Sequence, residues 1–286
     1  MPHPLVSVII PTFNRESTIV ASVKSVHQQT FNDLEIIVVD DGSRDDTKRL
    51  LQNLALPGLR YILHDVNKGA NAARNTGIEA AKGKFVAFQD SDDIWHREKL
   101  AKQIQACLEH NSEVAFCAFN RTKDGKSIVI PKLSYNIFPG CRNMHPALLR
   151  GSFISCQTLL VTKAALTEVG KFDTDIPRLQ DWELCLRLSK RLPFAFLDEV
   201  LVEVELGEDG ITAGTTSYAK AANLILNKHA DDFEKDRIAA SILCINVAID
   251  ALRRNQYLNF LRFALKAVLW GKLGTLKSML ILIKRR

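Results

Sequence analysis

Val6-Ser7-Val8-Ile9-Ile10-Pro11-Thr12-Phe13-Asn14-Arg15 opens the pattern that decides the fold. It is a β-branched apolar run too short for a helix, stopped by a proline turn. Residues 16–28 follow with Ile19, Val23 and Val26 at helical spacing. Residues 34–39 then form a second apolar run that ends in Asp40-Asp41-Gly42-Ser43. The alternation continues with a helix over 47–54, a weaker strand over 60–63, a helix over 69–81 and a strand over 85–88. Strand and helix in turn predict βαβ units on parallel strands. Continuous apolar strands predict a sheet covered on both faces.

Beyond residue 95 the pattern loosens. Residues 97–109 read as a helix and 113–119 as a strand. Residues 120–150 hold Pro131, Pro139, Gly140 and Pro146, and read as a loop-rich insertion. A strand is expected over 155–161, helices over 163–169 and 181–190, and a last strand over 200–204. From Tyr218 onward only helical patterns occur, over 219–228, 236–253 and 258–283, with a soft boundary in the Gly-rich stretch 207–214. The fold class expected is α/β, a Rossmann-like sheet with a C-terminal helical extension.

The chain has 286 residues, 47% hydrophobic and 24% charged, enough to bury a core without disulfides or a structural metal. Cys107, Cys117, Cys141, Cys156, Cys185 and Cys244 lack CxxC spacing, which suits reduced thiols in a cytoplasmic protein. The net charge of +6 is uneven: residues 258–286 carry seven bases and no acid, leaving 31 bases against 32 acids in the rest. The basic excess is therefore no argument for nucleic-acid binding. The opening residues do not form a signal peptide, and no uninterrupted apolar run approaches the ~18 residues of a membrane span.

Acidic residues gather just past two expected strand ends: Asp40-Asp41, and Asp90-Ser91-Asp92-Asp93. Ligands of open parallel sheets bind outside those ends, and hard carboxylate oxygens suit Mg²⁺ or Mn²⁺ on a diphosphate. The plain alternative is that Asp92 or Asp93 caps the next helix. Neither GxGxxG nor GxxxxGK[ST] is present, which argues against dinucleotide enzymes and P-loop NTPases. Lys68-Gly69 and Arg74-Asn75 are candidates to meet phosphate, though Arg74 also reads as a surface helix residue. Asp181, in Gln180-Asp181-Trp182-Glu183, is either an N-cap or a general base on an acceptor hydroxyl. Trp182 fits the core better than an acceptor site.

The segments 6–15, Val38-Val39-Asp40-Asp41-Gly42-Ser43, Asn67-Lys68-Gly69 with Ala73-Arg74-Asn75-Thr76-Gly77, Phe88-Gln89-Asp90-Ser91-Asp92-Asp93 and Gln180-Asp181-Trp182-Glu183 occur in order. Together they resemble a family 2 glycosyltransferase of the GT-A fold, strongly over about 5–100 and moderately over 150–205. The resemblance implies that Pro11, Phe13, Asp41 and Arg74 hold the nucleotide. It places the DxD-type motif on Asp90 and Asp92, with Asp92 as metal ligand, and the catalytic base on Asp181. It implies inversion at the anomeric carbon. The donor would be a nucleotide-diphosphate sugar, with a UDP-sugar as first expectation, and the acceptor a saccharide or a lipid-linked saccharide of surface polysaccharide synthesis. Residues 1–214 would form the catalytic domain (1–100 nucleotide-binding, 101–214 acceptor half) and 215–286 a helical region with a basic tail. One departure stands out: 205–214 reads ELGEDGITAG, without the histidine many relatives carry beyond the last strand.

Two other functions compete. A catalytically silent nucleotide-sugar-binding subunit of a membrane assembly would not need both Asp92 and Asp181. A nucleotidyltransferase would carry a Gly-rich basic loop where residues 11–15 stand. The basic tail reads as a helical cap, a partner-binding segment or a contact with anionic membrane through 258–286, at the inner face where a lipid-linked acceptor would lie.

Overall fold

The computed structural model describes residues 3–132, 137–205 and 217–271. Its first half follows the expected alternation. Strands β1 (Val6–Thr12), β2 (Leu34–Asp40), β3 (Leu59–Leu63) and β4 (Phe85–Phe88) are joined by helices α1 (Ile19–His27), α2 (Thr47–Asn53) and α3 (Ala70–Ala80). β1 pairs in parallel with β2 on one side and β4 on the other, and β2 pairs in parallel with β3. Every residue of β1 and β4 is buried, as their unbroken apolar sequence requires. α3 lies close on β1 because Gly77 has no side chain: a Cβ there would sit 2.4 Å from a methyl of Ile9.

The second half comprises β5 (Ile94–Trp95), α4 (Lys99–Glu109), β6 (Val114–Lys123), β7 (Lys126–Ile130), β8 (Gly140–Arg142), α5 (His145–Arg150), β9 (Leu159–Thr162), α6 (Lys163–Val169), α7 (Gln180–Ser189) and β10 (Phe194–Glu205). The strands form one sheet in the order β3-β2-β1-β4-β9-β6-β10-β5, with β7 beside β6 and β8 beside β10. β9 runs antiparallel to both β4 and β6, so the sheet is mixed rather than parallel throughout.

Three sequence expectations need correction. Residues 120–150 are not mainly loop: β6 continues to Lys123 and turns back into β7 through Asp124 and Gly125, both at positive φ, the two-residue hairpin that Asp-Gly favours. The stretch 155–161 starts as a 3-10 turn at Cys156–Thr158 before β9. The last strand is twelve residues long and is bent by register shifts between Leu197 and Glu203.

The C-terminal region forms α8 (Ser217–Lys228), α9 (Ala230–Lys235), α10 (Arg237–Arg253) and α11 (Tyr257–Trp270). Asp236 caps α10, its carboxylate accepting from the Ala239 amide. These helices do not stand apart: one contiguous apolar core runs from Ile9 and Phe88 through Phe116 and Leu184 to Phe233, Cys244 and Phe263. All six cysteines are free, as their spacing suggested. The boundary stretch 207–214, the 205–214 loop beyond Glu205 and the basic tail from Lys272 lie outside the described residues.

Candidate active site

The chain runs from β1 outward to β2 and β3, then returns to place β4 on the other side of β1. Open α/β sheets bind ligands at the carboxyl ends where the strand order reverses in this way. Here that crevice lies between the end of β1, which runs through Pro11 rather than stopping in a turn there, with Phe13 and Arg15 just beyond it, and the loop after β4, carrying Asp90 to Asp93.

The loops after β1 and β2 are stitched together. Asn14 donates its amide to Ser43 Oγ and accepts from the Arg44 amide, both at 2.9 Å. The Arg15 amide donates to Thr47 Oγ1 at 3.0 Å. Pro11 is buried within β1 and Phe13, two residues on, is 40% exposed. Gly42, at φ +84°, makes the tight turn that brings the Ser43 amide to Asp40 Oδ1 at 2.8 Å. Asp40 also accepts from the Tyr61 hydroxyl at 2.7 Å, so it is a structural carboxylate. Asp41 is buried and accepts from His64 Nδ1 (2.7 Å) and from the amides of Lys68 (2.9 Å) and Gly69 (2.7 Å). The Lys68 and Gly69 amides are thus engaged by Asp41, while the Lys68 residue, a candidate to meet phosphate, is exposed. The two amide bonds fix the entry to α3.

Arg74 is not a surface residue. It projects from α3 into the crevice with 3% exposure, and its Nη2 donates to Asp90 Oδ1 at 2.7 Å. Its Nε and Nη1 have no hydrogen-bond partner among the described residues, although both are buried. Its guanidinium lies 5.6 Å from the Phe172 ring centre. Burial works against its charge, but Cys156, Asp90 and Asp181 outweigh it and hold the group firmly protonated. Asp181 comes to the same place from α7. Burial and the charge of Asp90 raise its pKa, while the Trp182 amide and Arg74 oppose the rise. Asp90, Arg74 and Asp181 therefore share one electrostatic environment although 107 positions separate Arg74 from Asp181.

Neither capping alternative holds. Leu179, in the left-handed region, occupies the N-cap of α7, and Asp181 lies inside the first turn, accepting from the Trp182 amide at 2.8 Å. After Asp93 comes β5 rather than a helix, and Glu98 stands at the N-cap of α4. Asp93 is buried, and burial with the charges of Asp90 and Asp92 pushes its pKa up to about 9. Asp92 keeps 40% of its side chain exposed and faces Arg15 Nε at 3.5 Å. Loss of hydration and the charge of Asp90 raise its pKa. A carboxylate with hard oxygens, crowded by like charge and open to solvent, fits a divalent cation. Among the described residues no three His, Cys, Asp or Glu side chains gather to hold a metal alone. A cation at Asp92 would take its other ligands from phosphate and water.

Arg15 and His64 are partners that sequence reading passed over, although Arg15 stands in the motif after β1. His64 bridges Asp41 and Thr76 Oγ1 (3.0 Å), and a carboxylate partner requires its Nδ1 to carry the proton. Trp182 is a core residue: it is buried, and its indole donates to the Leu148 carbonyl at 2.6 Å.

The mixed sheet with its carboxylate-lined switch point defines the GT-A class of nucleotide-sugar fold. Two solved structures share it: S. aureus TarS 1–349 in complex with UDP-GlcNAc (TM-score 0.68, 18% identity, 91% of this chain and 89% of that one), and the mannosyltransferase PcManGT from Pyrobaculum calidifontis in complex with GDP-Man and Mn²⁺ (TM-score 0.62, 18% identity, 94% and 87%). The family model described as glycosyl transferase family 2 matches residues 7–168. The chain belongs to that family and is a glycosyltransferase. It is 33% identical over 190 residues to the Escherichia coli UDP-Glc:alpha-D-GlcNAc-diphosphoundecaprenol beta-1,3-glucosyltransferase WfgD (65% of this chain, 70% of that protein). It is 31% identical over 226 residues to TuaG of Bacillus subtilis (strain 168) (76% and 85%).

Proposed function

We propose that this chain is an inverting transferase that moves a sugar from a UDP-sugar to a hydroxyl of a lipid-linked saccharide in surface polysaccharide synthesis. The observation that carries the reading is the convergence of Arg74, Asp90 and Asp181 on one crevice, with Asp92 and Arg15 beside them. The name of WfgD supports the donor and the diphosphate-lipid acceptor. No observation favours the silent-subunit reading. Residues 1–214 are assigned the transfer, and 215–286 support it.

In this reading Phe13 and Pro11 flank the base beside Asp41. Arg74, with two buried nitrogens that lack a partner, donates to the donor diphosphate while Asp90 fixes its orientation. A Mn²⁺ or Mg²⁺ ion on Asp92 would supply positive charge against the leaving diphosphate. Asp181 accepts the proton of the acceptor hydroxyl as the new glycosidic bond forms on the opposite face of the sugar. Its raised pKa makes it a better base than a solvated aspartate, and the charge of Arg74 opposes the rise. A thermal-shift screen tests the donor: UDP and UDP-sugars with Mn²⁺ raise the unfolding temperature more than GDP or than UDP without metal. Equal shifts for every nucleotide would remove the UDP assignment.

The same acceptor suggests where the enzyme works. α11 buries Phe263 and Ala267 on one face and turns Leu258 (85% exposed), Leu261, Leu265 and Leu269 outward on the other, with Arg262 among them. An outward leucine row in a stretch with seven bases and no acid fits the surface of an anionic bilayer. Among the described residues no helix is long and apolar enough to cross a membrane. Changing the four leucines to serine should abolish co-sedimentation with anionic phospholipid vesicles; undiminished binding would count against this face.

A further inference from the structure

Two positions after Asp181 on α7, Glu183 is wholly buried and surrounded by basic side chains. It accepts from Arg187 Nε and Nη2, both at 2.8 Å. From the C-terminal region, Lys228 Nζ lies 3.0 Å and His229 Nε2 3.3 Å from Glu183 Oε1. Lys228 Nζ also lies 2.6 Å from Asp173 Oδ2. Asp173 belongs to the loop before α7, and that loop is tied to α3. Asn71 Nδ2 donates to the carbonyls of Asp173 (2.9 Å) and Ile176 (3.0 Å), and Asn75 exchanges two hydrogen bonds of 2.9 Å with the Phe172 backbone. Arg74 projects from α3 between those asparagines. At the far end of α7, Lys190 Nζ meets Asp232 Oδ2 of α9 at 2.5 Å.

We propose that Lys228 is a positioning residue for the transfer reaction. By bridging Glu183 and Asp173 it fixes the helix that presents Asp181 against the loop docked on the helix that presents Arg74. This rests on the reading of Asp181 as the base. Lys228 is one-third exposed, and without it Glu183 keeps both bonds from Arg187, so the Lys228 ion pairs contribute little to global stability. Reaction geometry is far more sensitive: a displacement near 1 Å costs about 100-fold in rate. The helical region after residue 216 thereby gains a role in catalysis that packing alone would not give it.

The test uses the full chain with Lys228→Met, Lys228→Arg, Asp173→Asn and Asp181→Asn, measuring kcat, donor Kd and unfolding temperature for each. Lys228→Met should lower kcat about 10- to 100-fold with donor Kd unchanged and little change in unfolding temperature. Lys228→Arg should restore most of the rate. Asp173→Asn should reproduce the loss without adding to it in the double variant, and it carries the comparison alone if Lys228→Met does not fold. Wild-type turnover in both Lys228→Met and Asp173→Asn, a loss shared equally by donor affinity, or no rescue by arginine would overturn the proposal. If Asp181→Asn is inactive while those two variants are normal, only the role of Lys228 fails. If Asp181→Asn turns over normally, the base assignment fails instead.

Discussion

Asp181 and Glu183 stand two residues apart on α7 and meet opposite surroundings. Glu183 turns into the cluster of Arg187, Lys228 and His229. Burial alone would raise its pKa, but these partners overcome it and bring the pKa down to about 2. Asp181 turns into the crevice, where burial and Asp90 raise its pKa and Arg74 only partly offsets them. Trp182, between them, faces the core. The two carboxylates share a helix and a chemistry, and differ in what receives them. A carboxylate with both oxygens engaged by basic side chains holds structure together. One left short of partners, near a cation that is itself short of partners, keeps reactivity in reserve.

Glu183→Gln takes the carboxylate from the partly buried Arg187 and one of the two that Lys228 bridges, and should cost about 3–5 kcal/mol of stability. The depressed pKa sets the pH dependence. The contribution of Glu183 is fully present above about pH 4.5 and is lost as pH falls toward about 2. The gap between wild type and variant in denaturant titrations should therefore close in strong acid; a constant gap would mean that charge pairing is not its source.

Lys99 sharpens the same point with the sign reversed. It is wholly buried, donates to Gln103 Oε1 at 2.7 Å and lies 3.8 Å from the Trp95 ring centre; burial brings its pKa down to about 8. The folded state binds its proton less tightly than the unfolded chain, so the Lys99 contribution to stability should rise with pH between about 8 and 10.5, by at most about 3 kcal/mol, against the opposite trend that the buried thiols, pushed up by burial, give wild type and variant alike. Lys99→Met should abolish that rise, measured as the unfolding free energy of both proteins across the window. The smallest effect belongs to Trp182→Phe. It removes the indole bond to Leu148 and should cost about 1 kcal/mol of stability with acceptor KM unchanged; a raised acceptor KM would place the indole in the acceptor site after all.

The elements that carry the proposed donor residues are legible because their signals are local. Apolar runs announce β1, β2 and β4, and the functional residues sit in the turns directly after them. Asp40 and Asp41 could be read as a pair, but not their division of labour, since Tyr61 and His64 that separate them lie 21 and 23 residues away. Arg74 looked like a surface residue by helical spacing because its burial depends on Phe172 and Asp181, contributed by a later segment. The β6–β7 hairpin was hidden by its own exposure: Lys126–Val129 face solvent and show no apolar alternation, although Asp124-Gly125 carried the turn. β10 was read short because Asp198 and Glu199 fall where its pairing shifts register. The Glu183 cluster was invisible, since its partners Lys228 and His229 come from a region that showed only helical periodicity.

The central claim is that two carboxylate sites facing one crevice do separate work, Asp92 on the donor diphosphate through a cation and Asp181 on the acceptor hydroxyl. Measuring UDP-sugar affinity with Mn²⁺ alongside turnover in Asp92→Ala and Asp181→Asn tests it most directly. Asp92→Ala should lose metal-dependent donor binding. Asp181→Asn should bind donor as the wild type does and turn over about 10²–10⁴-fold more slowly. Wild-type turnover by Asp181→Asn, or the same loss of donor affinity in both variants, would contradict the account.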